Sequence, residues 1–146
     1  MHGPALAILT LLFALRVLGQ ALVVFFSVDW LPPSEHWFSG LIPYPILLGV
    51  QLVMLAVMVK IASDIRRGRG FFAKPRPVCC RFLVACSILY AASMILRYIL
   101  TMTYRPDMRW FGGTIPIFFH WVLAAFLYTW GNFNSGRDNL IAQRHR

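Results

Sequence analysis

Five side chains stand out for the chemistry they could do: Arg16, Gln20, Gln51, Arg97 and His120, each set inside a run of apolar residues. Two guanidiniums supply fixed positive charge, two carboxamides supply paired donors and acceptors, and an imidazole supplies either role. That set suits recognition of an anionic or carbonyl-bearing ligand. It does not suit catalysis: the chain has no nucleophile set beside a base, no HExxH and no carboxylate pair for acid–base work. Nor does it have the spaced cysteine or histidine pairs of a metal site, because Cys79 and Cys80 are adjacent and Cys86 stands alone. A haem held by two interior histidines would need a second one, and His2, His36 and His145 all fall outside the apolar runs. Haem therefore stays an alternative with one ligand in place, and the chain offers no CxxCH for covalent attachment. No catalytic residue and no metal ligand is assigned.

The elements that must position these side chains follow from composition. Of 146 residues, 59% are hydrophobic and only 13% charged, and the mean hydropathy is +0.66. Soluble domains carry about 25% charged residues, so this chain reads as an integral membrane protein forming one domain over residues 1–146. Membrane helices need about 20 mostly apolar residues. Four stretches qualify, at about 4–28, 45–62, 81–103 and 114–133. The first has no basic leader and no A-x-A cleavage site, and it carries an arginine in its core, so it is read as a retained span. The expected fold is all-α, a bundle of four transmembrane helices.

The formal net charge of +9 is a topology signal here, not a mark of nucleic-acid binding. Arg66, Arg67, Arg69, Lys74, Arg76 and Arg81 cluster between the second and third spans, and Arg137, Arg144 and Arg146 follow the fourth. The loop after the first span has Asp29 and Glu35 but no Lys or Arg, and the loop after the third has only Arg105 and Arg109. The positive-inside rule then puts both termini and the basic loop in the cytoplasm. Trp30, Trp37, Tyr44, Tyr104 and Trp110 would form an outer aromatic belt, with Trp130 near the inner one. On that reducing side the cysteines act as small apolar packing residues and not as a disulfide. The basic loop could hold anionic headgroups, although fixing topology is the commoner role of such a loop.

With a rise of about 1.5 Å per residue, depth can be counted from each outer helix end. Gln20, Gln51, Arg97 and His120 come out at about 9–12 Å, and Arg16 at about 18 Å, near the midplane. The faces agree: Cys86, Tyr90, Ser93, Arg97 and Thr101 recur at helical spacing, as do His120, Ala124 and Tyr128, and Gln51, Met54 and Met58. Polar residues in lipid turn to the bundle interior. We therefore expect an interior polar patch opening outward, with Arg16 at its floor near the second helix. No span contains an acid near that level, and Asp29 at the helix mouth is the nearest counterion for Arg97. The plainer reading is helix glue, each carboxamide contributing about 0.6–2 kcal/mol, with Arg97 snorkelling to the surface.

The residues Arg16 and Gly19 in ALRVLGQALVVFF, Pro43 and Pro45 in GLIPYPILLGVQL, and Gln51 resemble the pattern of the DoxX-type small membrane proteins of bacteria. Those are four-helix bundles with an arginine and a glycine in the first helix, a proline-containing outer loop and a polar residue early in the second. The resemblance spans about the first 60 residues and departs at Gln51, where that family tends toward an acid. It implies a multi-pass protein of the bacterial inner membrane with a link to quinone-coupled redox complexes. The expected function is an accessory or structural subunit, associated with other membrane subunits or with itself. The alternative is a binder of a small amphipathic ligand, a quinone or an anionic lipid, between the helices.

Overall fold

The computed structural model describes residues 2–28, 30–31, 43–74, 77–104 and 114–144; for 77–80, 114–116 and 134–144 it describes the backbone alone. The chain is all-α among these residues, with α1 His2–Phe26, α2 Tyr44–Arg67, α3 Pro77–Tyr104 and α4 Thr114–Arg144. Three helical segments are long and apolar enough to cross a membrane: His2–Phe26, Tyr44–Arg67 and Arg81–Tyr104.

α2, α3 and α4 outrun the apolar runs that mark them, whereas α1 ends at Phe26, two residues before the expected 28. α2 continues past the expected limit at 62 to Arg67 because helix propagation needs only continuous backbone bonding, not hydropathy. It stops at Gly68, whose φ of 65° is the left-handed C-cap that glycine accepts without a Cβ penalty, and the Gly68 N–H donates to the Ile65 carbonyl. At the other end Pro45 sits in the first turn, where its missing N–H is harmless. α3 likewise begins on a proline, Pro77, and α4 runs on to Arg144.

The packing order is α2–α1–α4–α3. α1 contacts α2 and α4, α3 contacts α4, and among the described residues no backbone approach joins α2 to α3. The core accordingly lies where α1, α2 and α4 meet, on Leu6, Phe13, Val17, Met58, Ile61, Ile65 and Phe126. α3 is the outlying helix: only 6% of its most apolar window is buried, against 33% for α1. Leu89, Leu96 and Ile99 on it are exposed, which lipid tolerates because an acyl chain is as apolar as a leucine.

The α2–α3 connection folds back on the helices around Asp64. Its Oδ1 accepts from Lys60 Nζ at 2.6 Å, one turn earlier, and its Oδ2 accepts from the Phe72 N–H at 3.4 Å. Gly70 adopts φ 121°, and a Cβ there would overlap the Asp64 carboxylate. Only glycine meets both demands. Phe72 then stands edge-on to Trp130 of α4, ring centroids 5.5 Å apart.

Candidate functional site: a buried polar cluster on four helices

α1 turns one face inward, on which Leu6, Thr10, Phe13, Arg16, Val17, Gln20 and Val23 are buried. The spacing of three and four residues is that of one helical face, so Arg16 and Gln20 lie one turn apart and point the same way. Gln20 is fully buried and Gln51 is 4% exposed. The Gln51 Nε2 donates to the Gln20 Oε1 at 3.0 Å, tying α1 to α2. This bond leaves the Gln20 Nε2 and the Gln51 Oε1 buried with no partner among the described residues. Reversing both amides gives the same tally, one donor and one acceptor left over, so the result does not depend on how the amides are assigned. Stranding such a group costs about 1–3 kcal/mol.

Arg16 is 9% exposed. Its guanidinium carbon lies 5.4 Å from the ring centroid of Phe119 on α4, a cation–π contact worth about 0.5–2 kcal/mol when desolvated. Its charge also reaches Tyr44 of α2 and Tyr90 of α3. The arginine is thus buried, as its spacing implies, with Phe119 of α4 against it and Tyr44 of α2 within reach of its charge.

The Tyr90 hydroxyl and the His120 Nδ1 share a hydrogen bond of 2.5 Å, joining α3 to α4, and the two rings meet edge-on at 5.7 Å. Arg16 acts electrostatically on His120 as well. One cluster therefore draws Arg16 and Gln20 from α1, Gln51 from α2, Tyr90 from α3 and His120 with Phe119 from α4.

Arg97 does not share this level. Tyr90 is the α3 residue opposite His120, and Arg97 lies seven residues, about 10 Å, farther along α3. α3 runs about 21 Å beyond Tyr90 to Tyr104, whereas α4 starts about 9 Å before His120. Counting each helix from its own end assumes flush ends, and α3 overshoots α4. Arg97 is exposed, at the rim, with its charge still felt by Tyr90 and His120. Ser93, placed on the same face by spacing, is exposed too, while Cys86 is half-buried and a free thiol. Asp29, the expected counterion of Arg97, lies outside the described residues, as do Glu35, His36, Trp37 and Trp110. Cys79 and Cys80 fall where the backbone alone is described.

An apolar cavity lies next to the cluster. This cavity of about 490 Å³ has α4 as its floor and α2 and α3 as its walls, and is lined by Met54, Met58, Cys86, Tyr90, Phe126 and Trp130 among others. Its lining is almost wholly apolar. Tyr90 belongs both to this cleft and to the cluster, and Met54 lies one turn from Gln51. Neither this cavity nor a second one on the α1–α2 flank is lined by Arg16. Tyr44, Tyr90 and Phe119 are the members that sequence reasoning left out of the site. Tyr90 was signalled by its four-residue spacing from Cys86, whereas nothing in the sequence pairs Phe119 with Arg16.

A haem finds one interior imidazole here, already engaged by Tyr90. His2 stands at the far end of α1, edge-on to Phe133 at 6.0 Å. Among the described residues no three His, Cys, Asp or Glu side chains gather as a metal site would require. No protein-family model, curated protein or solved structure matches the chain.

Proposed function

We propose that this is a four-span protein of the bacterial inner membrane that binds a small amphipathic ligand between its helices. In this reading both termini and the basic α2–α3 connection face the cytoplasm, in keeping with the positive-inside rule. The observation that carries the ligand reading is the Gln20–Gln51 pair. It leaves one donor and one acceptor buried and unpartnered, where native proteins pair nearly all such groups. A ligand head with a carbonyl to accept from the Gln20 Nε2 and a hydroxyl to donate to the Gln51 Oε1 would meet both. Arg16 and the Tyr90–His120 pair would complete the polar end, with Arg97 at the rim. The apolar cleft between α2 and α3 would take the tail, and the ligand would arrive laterally from the bilayer. A quinone-type head in its reduced, hydroxyl-bearing form, with an isoprenoid tail, has this division, and the DoxX resemblance points the same way as a fold-level analogy.

The test is native mass spectrometry and organic extraction of the protein purified in mild detergent from its membrane. A retained lipophilic molecule is expected, lost in Gln20→Leu/Gln51→Leu and in a cleft-filling Cys86→Phe variant. A protein that is ligand-free in every preparation, and for which added quinone does not raise the thermal midpoint, would overturn the reading.

The second reading, an accessory subunit without its own chemistry, is favoured by one observation. α3 packs on α4 alone and leaves the α2–α3 gap unfilled, a place for a partner helix. A stoichiometric co-purifying membrane protein, displaced by the cleft-filling substitution, would decide for it.

A further inference from the structure

We propose a second and separate site, for an anionic phospholipid, on the flank of α1 and α2. A groove of about 680 Å³ runs there between the two helices, and Arg66 and Arg67 form one end of it. Its walls include Ala7 and Ala14 of α1 and Val59 and Ser63 of α2. The small α1 side chains leave the trough that a bulkier pair would fill. The volume is that of a ligand site, about 300–1,000 Å³.

Length and charge select the occupant. On α2 the groove extends from Leu55 to Arg67, which is about 18 Å of helix. That is about the depth of one leaflet, half of a hydrocarbon core about 30 Å thick. One end is apolar and deep, and the other carries two guanidiniums at the surface, where both arginines are exposed. Among the described residues the one acid nearby, Asp64, is committed to Lys60 and to the Phe72 N–H. Among the described residues neither Arg66 nor Arg67 enters an ion pair, because the single one formed is Lys60–Asp64. The start of α1 lies against the same end: a Cβ on Gly3 would stand 3.7 Å from the Arg66 Cα. The positive pole of α1 therefore adds to the field of the two arginines. A phosphodiester head bonded by two guanidiniums, with its acyl chain laid along the trough, fits this division. A zwitterionic head would bring its own ammonium into a field that repels it.

The experiment uses the full chain in phosphatidylcholine nanodiscs doped with phosphatidylglycerol, with bound lipid counted by native mass spectrometry. Phosphatidylglycerol should be retained in preference to phosphatidylcholine, and Arg66→Gln/Arg67→Gln should weaken its retention about tenfold or more. Arg69→Gln/Lys74→Gln removes the same charge from the same connection outside the groove and should leave retention near wild type. Ala7→Leu/Ala14→Leu fills the trough with every charge in place and should abolish retention. Equal losses in the two charge-removal variants would reduce the effect to general surface attraction and overturn the site. Full retention in the filled variant, or displacement by inorganic phosphate alone, would overturn it as well. The wild-type preference needs no variant to fold, and a ratio of one between the two lipids overturns the proposal by itself. Loss of this lipid leaves the cluster around Gln20 and Gln51 untouched, so the two readings fail separately.

Discussion

Asp64 and the Gln20–Gln51 pair are both buried polar groups on α1 and α2, the helices that supply most of the core cluster, and the chain treats them differently. Asp64 has a partner at each oxygen, Lys60 at one and the Phe72 N–H at the other. The glutamines satisfy each other once and then leave a donor and an acceptor unmet. A polar group whose partners all come from its own chain fixes a conformation, here the return of the α2–α3 connection onto α4. A polar group left over within a packed interior marks a place where something else belongs. The contrast is between a clamp and a receptor.

The clamp gives the largest expected effect. Gly70→Val forces a β-branched side chain into φ 121° and into the Asp64 carboxylate. The backbone strain alone costs about 1–3 kcal/mol, and the thermal midpoint in detergent should fall by several degrees. An unchanged midpoint would show that the connection is not held by Asp64 and would dissolve the contrast.

The receptor predicts non-additivity. Gln51→Leu alone strands the Gln20 carboxamide entirely and should cost about 1–3 kcal/mol. Gln20→Leu/Gln51→Leu removes both polar groups and should recover most of that loss in ligand-free protein, because paired removal of buried polar partners is nearly neutral. Simple addition of the two single effects in a thermal-melt cycle would mean that the pair is only helix glue.

Smaller effects separate the members of the cluster. Phe119→Leu keeps apolar volume but removes the π face under Arg16, and should cost about 0.5–2 kcal/mol. Tyr90→Phe removes only the hydrogen bond to His120 and should cost about 0.5–1.5 kcal/mol. Arg97→Gln, at the exposed rim, should shift stability by less than about 0.5 kcal/mol. An Arg97 effect as large as that of Phe119 would return Arg97 to the interior, where the sequence count put it.

Much of the fold was legible before any coordinates. The helix positions follow from apolar runs, and the inward faces of Gln20, Gln51, Arg16 and His120 follow from lipid excluding polar side chains. Within the site, the sequence supplied Arg16, Gln20, Gln51 and His120, but not Tyr44 or the Phe119 face against Arg16. It misplaced Arg97 by about two turns and passed over Tyr90, because levels counted from separate helix ends hold only if those ends are flush. The apolar limits also stopped α2 five residues short, since hydropathy ends at the membrane surface while helical bonding continues to Gly68.

What the sequence determined by itself is local: how long each apolar run is, which side of it is polar, and where glycine and proline stop or start a helix. Each of these depends on residues within a few turns of one another. The tertiary structure decided which helices are neighbours and at what height they meet. Among the described residues α3 lies on α4 alone, Tyr90 stands opposite His120, and Arg16 rests on Phe119. Adjacency and vertical register are properties of two surfaces fitted together, and a side-chain period read along one helix does not contain them.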